Sequence, residues 1–347
     1  MANPLEALLI AERCAALSGH DTDFIMVITL AYTGMRWSEM IGLTPACVHG
    51  NRVDIDWKLY ELRGRFYRGR PKDGSIRTAD LPPFLADLLA KQLTAPVSHR
   101  CTCRGTDPPW CPGDNYVFLG PAGGHFQRSN YGERFFRPAA DGWYPARGQR
   151  SAMPVLADVG GAFPGRPVPP WPAAVADETF TPPARRGVPR LLNDAAIGRC
   201  PSCGRALARR LDGGVIAHKT RTGRCEGSGQ LPAEDVVLAS WLPLLSGLTP
   251  HGLRHGHQTW MDEAGIPYVL QSERMGHEVP GMRGVYSHVS LAMRADLIAA
   301  LQERWHAALR ERARIATRSS VHLLDELLAV PHGQNRASHE SWRETDP

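Results

Sequence analysis

The sequence has no apolar run long enough to cross a bilayer, and its N-terminus lacks a basic-then-apolar leader. The expectation is a soluble, cytoplasmic protein without a membrane partner. It has little excess charge. A net charge of +5 and a pI near 8.8 permit a polyanionic partner without requiring one. Cysteine is sparse, with eight in 347 residues, and six of the eight are clustered. In a reducing cytosol such clusters point to metal rather than disulfides. Periodicity is missing from residues 141–190, which are rich in proline and glycine. The expectation there is a flexible insertion, poorly ordered over 145–190. Residues 331–347 are polar and are expected to be a disordered tail.

What remains is long enough to bury a full core. Residues 4–18 carry Leu5, Leu8, Leu9 and Ala11 at helical spacing, with Cys14 among them as a small core residue. Asp21 to Asp23 are placed to cap the helix leading to Thr33. Residues 50–81 alternate at Val53, Ile55 and Trp57 and read as a small antiparallel sheet. Lys72 precedes Asp73-Gly74, a hairpin-turn dipeptide, and Ser75–Leu81 reads as the return strand. Arg65, Arg68, Arg70, Lys72 and Arg77 make this region basic, so a ribbon here can follow DNA phosphates. Phe84–Leu93 is an amphipathic helix, and Tyr116–Leu119 reads as a short strand. After residue 290, a helix is expected over 291–317, followed by a short one over Val321–Val330.

Two cysteine clusters have ligand-like spacing. Cys200-x2-Cys203 closes on Gly204, a hairpin turns at Asp212-Gly213-Gly214, and His218 and Cys225 follow. Three thiolates and one imidazole complete a tetrahedral zinc site. Cys101, Cys103 and Cys111 form a second set, with His99 or His125 as its fourth ligand. Its Cys-x-Cys spacing is tighter than a usual zinc knuckle.

The densest chemistry lies in 249–290. His251 and Arg254 are three residues apart and share a helix face. Gly265-Ile266-Pro267 ends that helix, and a second should run to about Arg274. Met275-Gly276-His277 opens a turn, and Tyr286 follows. Upstream, Gly34 breaks an apolar run just before Arg36, with Glu39 one turn on. Arginine neutralises non-bridging phosphate oxygens, imidazole moves protons, and tyrosine can attack, so the set suits a phosphodiester. Tyr268 is expected to pack within the helix after Pro267. His255, His257 and His288 are read as structural or DNA-facing.

Thr33-Gly34-Met35-Arg36-x-x-Glu39, then Lys72, His251-x-x-Arg254, Met275-Gly276-His277 and Tyr286 follow the order of the boxes in tyrosine recombinases. The chain resembles that family, the phage integrases, over roughly 20–95 and 240–310. The resemblance implies a site-specific DNA recombinase that needs no metal or ATP for catalysis. It makes Tyr286 the nucleophile, releasing a 5′-hydroxyl and leaving a 3′-phosphotyrosyl bond. Arg36 and Arg254 would bind the phosphate oxygens, and His251 would act as base. Lys72 would protonate the leaving oxygen, and His277 would donate a hydrogen bond to the phosphate. It also implies double-stranded DNA as partner, a homo-oligomer on DNA (a tetrameric synapse) and association with a bacterial or phage nucleoid. The first box begins near residue 30, leaving no room ahead for the family's helical DNA clamp. The expectation is therefore either a fragment or a catalytic half whose clamp comes from a separate domain or accessory protein.

The expected fold is α+β. A mostly helical catalytic domain with a small antiparallel sheet is interrupted by a Pro/Gly-rich, zinc-binding insertion. The expected parts are 1–139 and 231–330 for the catalytic domain, 140–197 for the flexible insertion, 198–230 for the zinc ribbon and 331–347 for the tail. Two other readings fit the same residues: a zinc-stabilised, non-catalytic DNA-binding accessory, and an enzyme like type IB topoisomerase.

Overall fold

The computed structural model describes residues 1–72, 75–95, 100–103, 111, 113, 115–120, 122–148, 152–158, 162–163, 166–167, 174–176, 197–210, 212–220, 223–233, 238–277 and 288–329. It combines helices with small antiparallel sheets, an α+β arrangement. Among the described residues, no helix is long and apolar enough to cross a membrane. The chain divides into two compact units. The first comprises Met1–Val155 and Leu242–Trp305, the second Leu156–Trp241 and His306–Pro347.

The first unit opens with α1 (Pro4–Ser18), started by a reciprocal cap. Asn3 Oδ1 accepts from the Glu6 amide, and the Asn3 amide donates to Glu6 Oε2, both at 2.8 Å. Helix α2 (Asp21–Thr33) follows after Gly19, a left-handed cap. The expected aspartate cap is corrected: His20 is the N-cap residue, and Asp21 and Asp23 lie within the first turn. There they meet the positive end of the helix dipole instead. Glycine 34, also left-handed, ends α2 and leads into α3 (Trp37–Met40).

Strands β1 (Val48–His49), β2 (Arg52–Ile55), β3 (Lys58–Leu62), β4 (Arg65–Gly69) and β5 (Arg77–Asp80) come next. They form two sheets, β1-β2-β5 and β3-β4. The hairpin expected around Lys72 is corrected. Strand β4 pairs back on β3 through Arg63 and Gly64, both at positive φ, and β5 pairs with β2. Lys72 therefore lies in the crossover between sheets, and Asp73 and Gly74 lie outside the described residues. The reason is burial: the β2–β5 register places Val53 opposite Ala79, both excluded from water.

Helices α4 (Pro83–Thr94), α5 (Arg128–Tyr131) and α6 (Arg137–Asp141) follow, the last two joined by a π turn at Gly132–Phe136. Strands β6 (Trp143–Tyr144) and β7 (Met153–Pro154) pair with each other. Tyr116–Leu119 is buried but is not the expected strand. Its backbone is satisfied by single bonds instead: the Val117 amide donates to Leu43 O, and Gln92 Nε2 donates to Val117 O.

The second unit carries β8 (Leu156–Asp158), β9 (Ala162–Phe163), β10 (Arg166–Pro167), β11 (Ala174–Ala176), β12 (Ile197–Arg199), β13 (Ala206–Ala208), β14 (Lys219–Thr220), β15 (Gly223–Arg224) and β16 (Leu238–Trp241). Strand β16 is the centre of a three-stranded sheet, β11-β16-β8.

The chain returns to the first unit with α7 (Pro250–Glu263), capped by Thr249, and α8 (Tyr268–Met275). Helix α9 (Leu291–Ile315) and helix α10 (His322–Ala329) complete the chain's described elements. An aromatic core joins the first unit. The Tyr32 ring centroid lies 4.9 Å from that of Phe84 and 5.0 Å from that of Trp260, and Phe84 stacks on Trp305 at 4.3 Å. These contacts tie α2, α4, α7 and α9, through Trp305, together. Tyr268, expected to pack, is 56% exposed at the first position of α8, where its side chain has no helix turn to pack against.

Candidate active site and two cysteine–histidine clusters

The break at Gly34 brings Arg36 to the start of α3. Its backbone amide donates to Glu39 Oε2 at 2.9 Å, and Nη1 donates to Glu39 Oε1 at 2.7 Å. Glu39 thus orients both the Arg36 side chain and the Arg36 backbone. From β5, Arg77 Nη2 donates to Glu39 Oε2 at 2.8 Å. Burial alone would raise the Glu39 carboxyl; its bonds and attraction to Arg77, with those to Arg36, outweigh this and hold it below the usual range. Arg77 is itself buried, so its expected place on a DNA-following ribbon is corrected: its partners are Glu39 and the backbone carbonyls of Arg274 and Ser75.

Helix α7 contributes Arg254, which lies inside the unit. Nη1 donates to the Gly34 carbonyl at 2.5 Å, and Nη2 donates to the Met275 carbonyl and, at 2.9 Å, to His277 Nε2. Burial lowers its pKa to about 10, with the charges of Arg36 and Arg77 adding to the effect, so it remains cationic at neutral pH. The pKa of His277 is lowered by burial and then by Arg254, Arg36 and Arg77. His251 is exposed one turn before Arg254, and its pKa is also lowered, by burial first and then by His255, Arg254, Arg128 and Arg36. Both imidazoles are therefore biased toward the neutral, proton-accepting form.

Lys72 is exposed, and its carbonyl accepts from the Ser75 amide at 3.1 Å. Ser75 Oγ lies 3.4 Å from Arg36 Nη1, which links the crossover to the arginine. Tyr286 lies outside the described residues. The structure thus brings Arg36, His251, Arg254 and His277 into one charge-coupled cluster, and Lys72 lies on the crossover whose Ser75 meets Arg36.

Two glycines make the cluster fit. At Gly34, φ +66, a Cβ would sit 2.8 Å from Met275 Sδ and 2.9 Å from His257 Cδ2. At Gly276, φ +65, it would sit 2.9 Å from Arg77 Nη1. Behind the cluster, buried Arg274 donates from Nε to His257 Nε2 at 2.9 Å and to the carbonyls of Asp80 and Tyr32. Sequence reasoning missed Arg77, Ser75 and Arg274 as parts of the site. For Arg77 a signal existed: it shares a strand face with Ala79 and Leu81, the buried face.

In the second unit, Cys200, Cys203, His218 and Cys225 place their ligand atoms within 4.8 Å of one another. Cys200 and Cys225 Sγ are 3.8 Å apart, and Cys203 Sγ lies 3.2 Å from His218 Nε2. A tetrahedral zinc site would separate such atoms by about 3.6–3.8 Å. His218 Nδ1 lies 2.9 Å from the Ile216 carbonyl; donation there leaves the Nε2 lone pair facing the cysteines. Burial would raise the Cys200 thiol, but the Cys203 and Ser202 amides and neighbouring thiols outweigh it and lower it, favouring thiolate. Glycine 204, φ +68, closes the knuckle, and a Cβ on Gly227 would sit 2.4 Å from Cys200 Sγ.

In the first unit, Cys101, Cys103, Cys111 and His125 form an equally tight set. His125 is the histidine brought to these cysteines; His99 lies outside the described residues. The Cys111 thiol falls to about 6: burial opposes this, but bonds to His125, Tyr116 and the Gly113 amide prevail.

No protein-family profile matches the sequence. No curated protein matches it either. Among solved structures, the chain is similar to Tn1549 transposon integrase in complex with a circular intermediate DNA. The identity is 14% and the TM-score 0.40, with 83% of this chain and 62% of that chain covered. It is similar to the same integrase in complex with transposon right end DNA at 14% identity and a TM-score of 0.39, with 82% and 61% covered. The chain spans less than two thirds of the length of these solved chains.

Proposed function

We propose that this protein is a tyrosine-recombinase-type DNA strand transferase, cutting and rejoining duplex DNA through a 3′-phosphotyrosyl link. One observation carries the reading. Arg36, Arg77 and Arg254 act on one another and on His277, while the one carboxylate bonded to this group among the described residues, Glu39, is bonded to Arg36 and Arg77 and not to Arg254. Partly buried cations in excess over their counter-charge are suited to an anion supplied from outside. Beside it, two neutral-biased imidazoles suit proton transfer and hydrogen bonding at a phosphate.

In this reading Tyr286 attacks phosphorus and expels the 5′-hydroxyl. Arg36 and Arg254 stabilise the charge developing on the non-bridging oxygens, and His251 receives the tyrosine proton. Lys72 protonates the leaving oxygen, and His277 donates to the phosphate. The bond energy stays in the protein–DNA link, so rejoining needs no nucleotide. Its partner is duplex DNA, on which several copies assemble at the nucleoid. Cys200, Cys203, His218 and Cys225 would hold one structural zinc ion, fixing residues 198–230 as a knuckle.

A nicked suicide duplex tests the chemistry, because it loses its short 5′-hydroxyl fragment after cleavage. The wild-type chain should be trapped as a denaturant-resistant adduct in a brief incubation with EDTA, and Tyr286→Phe should not. An adduct formed by Tyr286→Phe at the wild-type rate overturns the nucleophile and the register of the motif match.

A further inference from the structure

The first unit holds a second piece of chemistry away from the arginine cluster. Cys101 and Cys111 Sγ are 3.4 Å apart, and Cys111 Sγ lies 3.3 Å from His125 Nε2. With Cys103 the four ligand atoms all lie within 4.8 Å of one another, close enough to converge on one ion.

Strand β4 is fastened to this centre. The Cys111 amide donates to the Phe66 carbonyl at 3.0 Å, and the Phe66 ring packs on His125 with centroids 4.8 Å apart. Strand β3 is held separately, by a close approach to Gly42, where a Cβ would lie 3.0 Å from the Leu59 amide. Strand alternation then decides what the other face carries. Phe66 and its cross-strand partner Glu61 share the face toward the cluster. Lys58, Tyr60, Arg65 and Tyr67 lie on the opposite face. There Tyr60 and Tyr67 are paired and stacked at 5.6 Å and 20°, with Lys58 Nζ 5.9 Å from the Tyr60 centroid. Cations interleaved with stacked phenols match a sugar–phosphate edge: charge for the phosphates, flat apolar surface for the sugars. A two-stranded ribbon is marginal by itself, so what anchors β4 at Phe66 also fixes the face the ribbon presents.

We propose that Cys101, Cys103, Cys111 and His125 bind one zinc-class cation, and that this ion braces the β3–β4 ribbon so its outer face grips the backbone of duplex DNA. The proposal rests on the strand-transfer reading only for the identity of the partner.

The full-length chain carrying Cys203→Ser and Cys225→Ser keeps only Cys200 and His218 of the other site's four ligands, too few for a tetrahedral thiolate site, so tetrahedral cobalt reports on this site alone. It should take up one tetrahedral cobalt with thiolate charge-transfer absorption, lost on adding Cys103→Ser. In duplex titrations, Lys58→Ala and Arg65→Ala should each weaken binding about tenfold at low salt and reduce the log–log salt slope by roughly one. Tyr60→Ala should weaken it by a similar factor. Cys103→Ser should reproduce the combined Lys58/Arg65 loss. Where that variant fails to fold, wild-type protein stripped by a chelator should lose affinity and regain it with zinc. Two results overturn the proposal: no cobalt spectrum in the Cys203/Cys225 background, or metal-free protein with wild-type affinity and salt slope. Covalent adduct at saturating DNA separates the two readings. An adduct with unchanged binding in the ribbon variants sinks the brace alone; no adduct with weakened binding sinks strand transfer and leaves the brace standing.

Discussion

Arg254 Nη2 donates to His277 Nε2 at 2.9 Å while its other donors hold the Gly34 and Met275 carbonyls. A guanidinium cannot accept, so Nε2 carries the lone pair and neutral His277 carries its proton on Nδ1. One side chain therefore fixes two loops and one tautomer. Lysine cannot do this, because it has no planar fork. Arg254→Lys should keep the charge yet lose roughly two to three powers of ten in adduct formation on the nicked duplex. Wild-type rates in that variant would show that charge alone suffices.

Glu39 is shared between Arg36 and Arg77 and is almost fully buried. Removing it strands cations inside the unit, a change that costs about 3–5 kcal/mol for a buried pair. Glu39→Ala should lower the urea midpoint accordingly. Arg77→Met should lower it too, and the double variant should lose less than the sum, since both remove one interaction. Additive losses in the cycle would contradict the coupling.

Gly34→Ala and Gly19→Ala make a matched pair. Both positions have positive φ, but a Cβ at Gly19 meets nothing within 4 Å, whereas at Gly34 it strikes Met275 and His257. Gly19→Ala should cost about 1 kcal/mol for the left-handed backbone alone. Gly34→Ala should cost more in equilibrium unfolding and also slow adduct formation, because its carbonyl positions Arg254. Equal losses at the two sites would remove the steric argument.

Stability should fall in mild acid through His257. The imidazole is fully buried, and burial followed by the charge of Arg274 holds its pKa well below the ordinary histidine value. In the unfolded chain it takes a proton near pH 6.5. Below that pH the unfolded state binds the extra proton, so stability drops by about 1.4 kcal/mol per pH unit until the folded group also titrates. Asp23, raised to about 6 by burial, acts with the opposite sign between the ordinary carboxylate value and 6. Comparing wild type with His257→Gln from about pH 7.5 to about pH 5.5 isolates the histidine. The wild-type advantage should shrink as pH falls; a constant difference would refute the assignment.

The sequence by itself determined the local elements and the order of the chemical groups. Gly34 marked a helix end in the sequence, because a left-handed turn depends on residues a few positions apart. The three-residue spacing of His251 and Arg254 placed both on one helix, and Cys200-x2-Cys203-Gly204 described its own knuckle. The tertiary structure decided whatever depended on distant partners. It paired β4 with β3 and β5 with β2, taking Lys72 off the expected hairpin. It turned Arg77 from a ribbon cation into the buried partner of Glu39, and it brought His125 to Cys101, Cys103 and Cys111. Strand pairing, charge pairing and metal-ligand choice join residues tens of positions apart. Each is settled by which faces must leave water together, a competition no local pattern records.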